Sequence, residues 1–134
     1  MRILGIDHGD VRIGIAMSDE TAFLASPLTT VQNGKTAVDE IVSIIMEYDV
    51  EKIVVGLPRN MNGTYGPATE KVRTFIEKLS EKTDVPIAEW DERLSTVSAH
   101  KDLREAGLNG KQRKGVVDMA AARIILQNFL DAQA

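Results

Sequence analysis

The sequence predicts an α/β fold on a mixed five-stranded sheet, three antiparallel strands first and parallel strands after, with helices on both faces. Three observations predict it. Strand-like segments crowd the first 31 residues with only turn-length gaps between them, helical and strand-like segments then alternate, and helical periodicity closes the chain. A parallel connection needs a dozen or more residues, usually a helix, and the gaps between residues 7 and 23 leave no room for one.

Residues 2–7, rich in Ile and Leu, read as a buried strand, and His8-Gly9-Asp10 supplies turn chemistry after it. In the next segment Ile13, Ile15 and Met17 alternate with Arg12, Gly14, Ala16 and Ser18, the period-two signature of a strand with mostly small residues on one face. A third strand is expected over 23–31, with Pro27 marking an edge or a bulge. From Lys35 to Tyr48, Val38, Ile41, Val42, Ile44 and Ile45 recur at helical spacing behind the Asn33-Gly34 lead-in. The apolar run Lys52–Leu57, ended by Pro58, suits an interior parallel strand. A glycine-bearing loop follows, then a helix over about 68–81, a strand over 86–91, a helix over about 96–106 stopped by Gly107, and a last helix over about 114–131. No linker, repeat or low-complexity stretch interrupts this order, so residues 1–134 read as one domain.

Composition narrows the function classes. At 134 residues with 43% apolar content the chain can build one core unaided. The absence of cysteine excludes disulfides and thiolate metal sites, and no apolar stretch approaches bilayer length, so a cytoplasmic protein without a membrane partner is expected. A formal charge of −4 argues mildly against a nucleic-acid partner, yet Lys101, Arg104, Lys111, Arg113 and Lys114 make one local segment basic.

Three acidic positions stand out. Asp7 closes an apolar strand before a glycine turn, which places a carboxylate at the rim of the sheet; a turn-forming role is the plain alternative. Asp118 shares its helix face with Ala121, Ala122 and Ile125. A desolvated carboxylate there costs several kcal/mol unless a cation or donors meet it, and either a metal shared with Asp7 or a partner among Arg93, Arg113 and Lys114 would answer. Asp91 and Glu92 end a strand beside Arg93, and being adjacent, one of them must face the site whichever way the pleat falls. Ser95 and Thr96 read as helix N-cap residues. Gly56–Gly66, with Arg59 and three glycines, suits backbone contact with phosphate, and neither His8 nor His100 is expected to be a catalytic base.

Four segments, Gly5–Asp19, Val54–Gly66, Asp91–Thr96 and Val117–Ala121, together resemble the YqgF (RuvX) family of Holliday junction resolvases and pre-16S ribosomal RNA nucleases, in order and over nearly the whole chain. The resemblance implies an RNase H-like fold and metal-dependent phosphodiester cleavage, with processing of the 5′ end of pre-16S rRNA. It carries the family's acidic positions onto Asp7, the Asp91–Glu92 pair and Asp118, while Asn62 stands where many members have an acid. The expected catalytic set is therefore Asp7, Asp91, Glu92 and Asp118, with Asp7, Asp118 and either Asp91 or Glu92 as ligands of one or two Mg²⁺ or Mn²⁺ ions. Arg12, Arg59, Arg93, Lys111, Arg113 and Lys114 are expected to position a pre-rRNA or branched DNA backbone, in a monomer or homodimer. Resolution of DNA junctions and a non-catalytic RNA-binding role in ribosome assembly are the rival readings. An ATP-handling phosphotransferase is a third, on the glycine turn alone.

Overall fold

The computed structural model describes residues 1–58, 64–92 and 111–133, the side chains of 111–116 excepted. The expected helix over 96–106, Ser95, Thr96 and His100, and the side chains of Arg59, Asn62, Arg93, Lys111, Arg113 and Lys114, lie outside the described residues.

The chain runs β1 (Arg2–His8), β2 (Arg12–Ser18), β3 (Ala25–Gln32), α1 (Ala37–Glu47), β4 (Val50–Leu57), α2 (Pro67–Ser80), β5 (Ile87–Asp91) and α3 (Lys111–Gln133). The strands form one sheet in the order β3-β2-β1-β4-β5. β1–β2 and β2–β3 pair antiparallel, while β1–β4 and β4–β5 pair parallel, as the short early turns and later helical crossovers require.

Where boundaries differ from expectation, hydrogen bonding decides them. Phe23 and Leu24 fall in the β2–β3 turn instead of the strand, because Asp19 Oδ1 accepts from both of their N–H groups, at 2.8 and 3.0 Å. Asp19 Oδ2 also accepts from the Thr21 hydroxyl, and these bonds hold the Asp19 carboxyl down at about 2. β3 is an edge strand, and the ladder steps from Ile15–Thr29 to Ala16–Pro27, so Pro27 sits at both an edge and an irregularity, where its missing N–H costs least. Asp49, at φ 52°, takes the left-handed turn that ends α1 and admits β4.

Each face of the sheet has its own apolar layer. Leu4, Ile6, Ile13, Ile15, Ile53 and Val55 pack with Ile41 and Ile45 of α1 and with Val72, Phe75 and Leu79 of α2. Ile3, Ala16 and Val54 pack against Ala121, Ala122, Ile125, Leu126 and Phe129 of α3. The small residues of the second layer let α3 lie close to the sheet: a Cβ built on Gly5 would stand 2.7 Å from Leu126 Cβ.

Candidate active site

Asp7 is 1% exposed on the central strand β1. Ile3 and Gly5, two and four residues earlier, both face α3, so the pleat turns Asp7 to that face as well. Its partner across the antiparallel ladder is Gly14, and opposed residues share a face. A Cβ on Gly14 would lie 2.1 Å from the Asp118 carbonyl oxygen, so the backbone of α3 at Asp118 rests directly on β2. On the other flank β1 pairs with β4 through Ile6–Val55, and the next step of that parallel register sets Gly56 beside Asp7. A Cβ on Gly56 would meet Ile125 Cδ1 at 2.5 Å and Glu92 Oε1 at 2.9 Å. A row of Gly14, Asp7 and Gly56 thus crosses three strands beneath α3, with Asp118 above one glycine and Glu92 above the other.

This row separates the two adjacent acids of β5. Asp91 pairs with Leu57, which belongs to the layer packed on α1 and α2, so the register places Asp91 on the face away from Asp7. Glu92 reaches Gly56 on the α3 face. The structure brings Asp7, Glu92 and Asp118 to one face; of the expected ligands, Asp91 is the one it sets apart.

The described cation against Asp118 is Arg12, whose Nε donates to Asp118 Oδ2 at 3.0 Å across 106 residues of sequence. Their side chains are 20% and 21% exposed, so the pair is shielded but open to water at its rim. From the sequence, Arg93, Arg113 and Lys114 are the expected partners and Arg12 is expected on the nucleic acid; the partner described is Arg12. The helical spacing around Asp118 carries no mark of a strand residue so far away.

The turn after Asp7 is fixed from two sides. Gly9 N–H donates to the Arg12 carbonyl at 3.0 Å, and a Cβ on Gly9 would lie 2.5 Å from that oxygen, so only glycine fits. Asn33 Nδ2 donates to the Gly9 carbonyl at 2.8 Å and stands 3.2 Å from His8 Nε2, tying the turn to the end of β3. His8 points away from Asp7, onto Phe75 of α2 with ring centroids 4.9 Å apart. Burial lowers its pKa against the pull of Asp10 and Asp7. At the exit of β4, Thr69 of α2 is buried, its hydroxyl donating to the Pro58 carbonyl and accepting from Gly66 N–H at 3.3 Å, so the start of α2 is pinned beside the site.

Among the described residues no three His, Asp or Glu side chains stand close enough together to form a finished cage for an ion. The donor set nevertheless fits a hard divalent cation in kind, since Asp7, Glu92 and Asp118 offer only carboxylate oxygens. Asp7 is 1% exposed, and a carboxylate withdrawn from water is held by donors and positive charge, a role a cation can share. Lys71 of α2, a residue that no sequence motif marks, sits 3.2 Å from Asp10 at the edge of the same turn. Only its place on a polar helix face was visible beforehand.

The RuvX family, described as Holliday junction resolvase, matches residues 1–132. A protein of Desulforamulus reducens named "Putative pre-16S rRNA nuclease" is 49% identical, covering 100% of this chain and 99% of its own length. A relative of the same name from Clostridium novyi is also 49% identical, over 98% of this chain and 99% of its own. Among solved structures, Thermus thermophilus RuvC in complex with a Holliday junction substrate superposes with a TM-score of 0.57 at 16% identity, covering 99% of this chain and 95% of that one. The fowlpox virus Holliday junction resolvase gives 0.59 at 12% identity, covering each chain completely at 100%. These likenesses establish the RNase H-like resolvase fold, and the family match over nearly every residue establishes kinship: the chain belongs to the RuvX family.

Proposed function

We propose that this protein is a metal-dependent endonuclease whose substrate is the 5′ end of pre-16S rRNA. The observation that carries the reading is the row Gly14–Asp7–Gly56, which collects Asp7, Asp118 and Glu92 on one face of the sheet under α3. The names of the relatives support the RNA substrate. Asp7, Glu92 and Asp118 would hold Mg²⁺ or Mn²⁺, which would offset phosphate charge and acidify an attacking water. Asp7 acts from a rigid position, since burial and the ladder fix its backbone. Arg12 orients Asp118, and with Arg59, Arg93, Lys111, Arg113 and Lys114 it places the nucleic-acid backbone.

The family description and the resolvase fold support a second reading, cleavage of four-way DNA junctions, which would call for a twofold dimer to make paired cuts. Among the described residues no helix is long and apolar enough to cross a membrane, consistent with a cytoplasmic site of action. Incubation of the purified protein with pre-16S rRNA and with four-way junctions, with and without Mn²⁺, tests both. Cleavage of the RNA at its 5′ flank, dependent on the ion and lost in Asp7→Asn, is the expected outcome. Binding without cleavage under every ion would instead make the protein a non-catalytic assembly factor.

A further inference from the structure

A groove runs away from the carboxylates on the α2 side of the β1–β2 turn. Its nearer part, a cavity of about 420 Å³, is bordered by Glu92, Pro58, Gly9, His8 and Lys71. Its farther part, about 520 Å³, continues past His8 and Lys71 to Asn33 and Thr74. The floor is held from two sides, because His8 packs on Phe75 with the rings tilted and Asn33 donates to the Gly9 carbonyl. Lys71 is the one lysine or arginine that the described lining contains, and it borders both parts. Asp10, Glu70 and Glu92 are the acids of that lining. Lys71 Nζ meets Asp10 Oδ1 at 3.2 Å, with side chains 60% and 77% exposed. An ion pair that wet contributes little to stability, and its partners exchange readily.

We infer that Lys71 is a phosphate-anchoring residue for the nucleic-acid strand beside the cleaved bond, and that Asp10 occupies it in the free protein as an internal stand-in for that phosphate. The inference rests on the nuclease reading and extends it to a named contact. The described lining sets Asp10, Glu70 and Glu92 against Lys71, so a strand passing along it meets its one described cation at Lys71. Its flexible stem allows the ammonium to leave Asp10 for a passing phosphate without disturbing α2. Asp10 then acts as a competitor, lowering the affinity of the free groove and rejecting weaker anions.

Two substitutions on the full chain separate this from a merely structural ion pair. Binding of a labelled single-stranded RNA and of a labelled four-way DNA junction is followed by fluorescence anisotropy across a salt series, in Ca²⁺ to suppress turnover. Lys71→Gln is expected to weaken binding several-fold and to flatten the salt dependence by about one ion, roughly 0.7 to 0.9 in log–log slope. Asp10→Asn is expected to change binding in the opposite direction, tightening it about two- to threefold. If both substitutions weaken binding alike, or if Lys71→Gln leaves the slope unchanged, the anchoring role is overturned while the nuclease reading stands. If the unsubstituted protein binds neither probe, both fall together. Thermal melting of the two variants, expected to match the parent, confirms that the comparison concerns binding and not folding.

Discussion

Gly14 of β2 lies so close beneath α3 that a Cβ on it would stand 2.1 Å from the carbonyl oxygen of Asp118. Because the obstacle is helix backbone, no side-chain rotation relieves it. Gly14→Ala should push α3 off the sheet and cost about 1–3 kcal/mol or more, read as a lower midpoint in urea unfolding. Cleavage should fall further than stability alone explains, since the same shift carries Asp118 away from Asp7.

Asp7→Asn keeps the shape of the side chain and removes its charge. Loss of a cation ligand is worth several kcal/mol in the transition state, so cleavage should drop by at least about a hundredfold. Undiminished single-turnover cleavage in a well-folded preparation of this variant would refute the carboxylate site.

Asp91 and Glu92 are neighbours in sequence on opposite faces of the sheet end. Glu92→Gln should therefore depress ion-dependent cleavage tenfold or more and raise the Mn²⁺ concentration needed for half activity. Asp91→Asn should change that concentration little. A reversed ranking would mean that the pleat at the end of β5 is not what selects the third carboxylate.

Acid stability has a local source in the β2–β3 turn. Bonds from the Thr21 hydroxyl and from the Leu24 and Phe23 N–H groups lower the Asp19 carboxyl from 3.8 to about 2. A depressed folded-state value stabilises above the unfolded value and is lost as pH falls through the folded one, so the window lies between about 4 and 2. In Asp19→Asn the melting temperature should vary less steeply across that window than in the parent. Identical slopes would show that the turn does not couple to global unfolding.

Much of the fold is carried by local pattern. Alternation in Arg12–Ser18, the unbroken apolar run before Pro58 and the helical spacing of Ile41 and Ile45 each determine an element without reference to the rest, because strand and helix periods are properties of the chain itself. The turn-length gaps before residue 25 likewise oblige the first strands to pair antiparallel. The anomaly at Asp118, an acid on an apolar helix face, was legible in the same way.

What only the tertiary structure decided were relations of register between distant segments. The choice of Glu92 over Asp91 depends on which residue of β5 pairs with Gly56, and the adjacency of two acids says nothing of that. Arg12 meets Asp118 across 106 residues because α3 settles on Gly14, a packing event set by the absence of a side chain. Lys71 reaches Asp10 only because α2 returns beside the β1–β2 turn. A one-residue slip of the β4–β5 ladder would turn Glu92 to the opposite face, and one of the β1–β2 ladder would do the same to Arg12, so these meetings are a property of the assembled sheet and not of any segment alone.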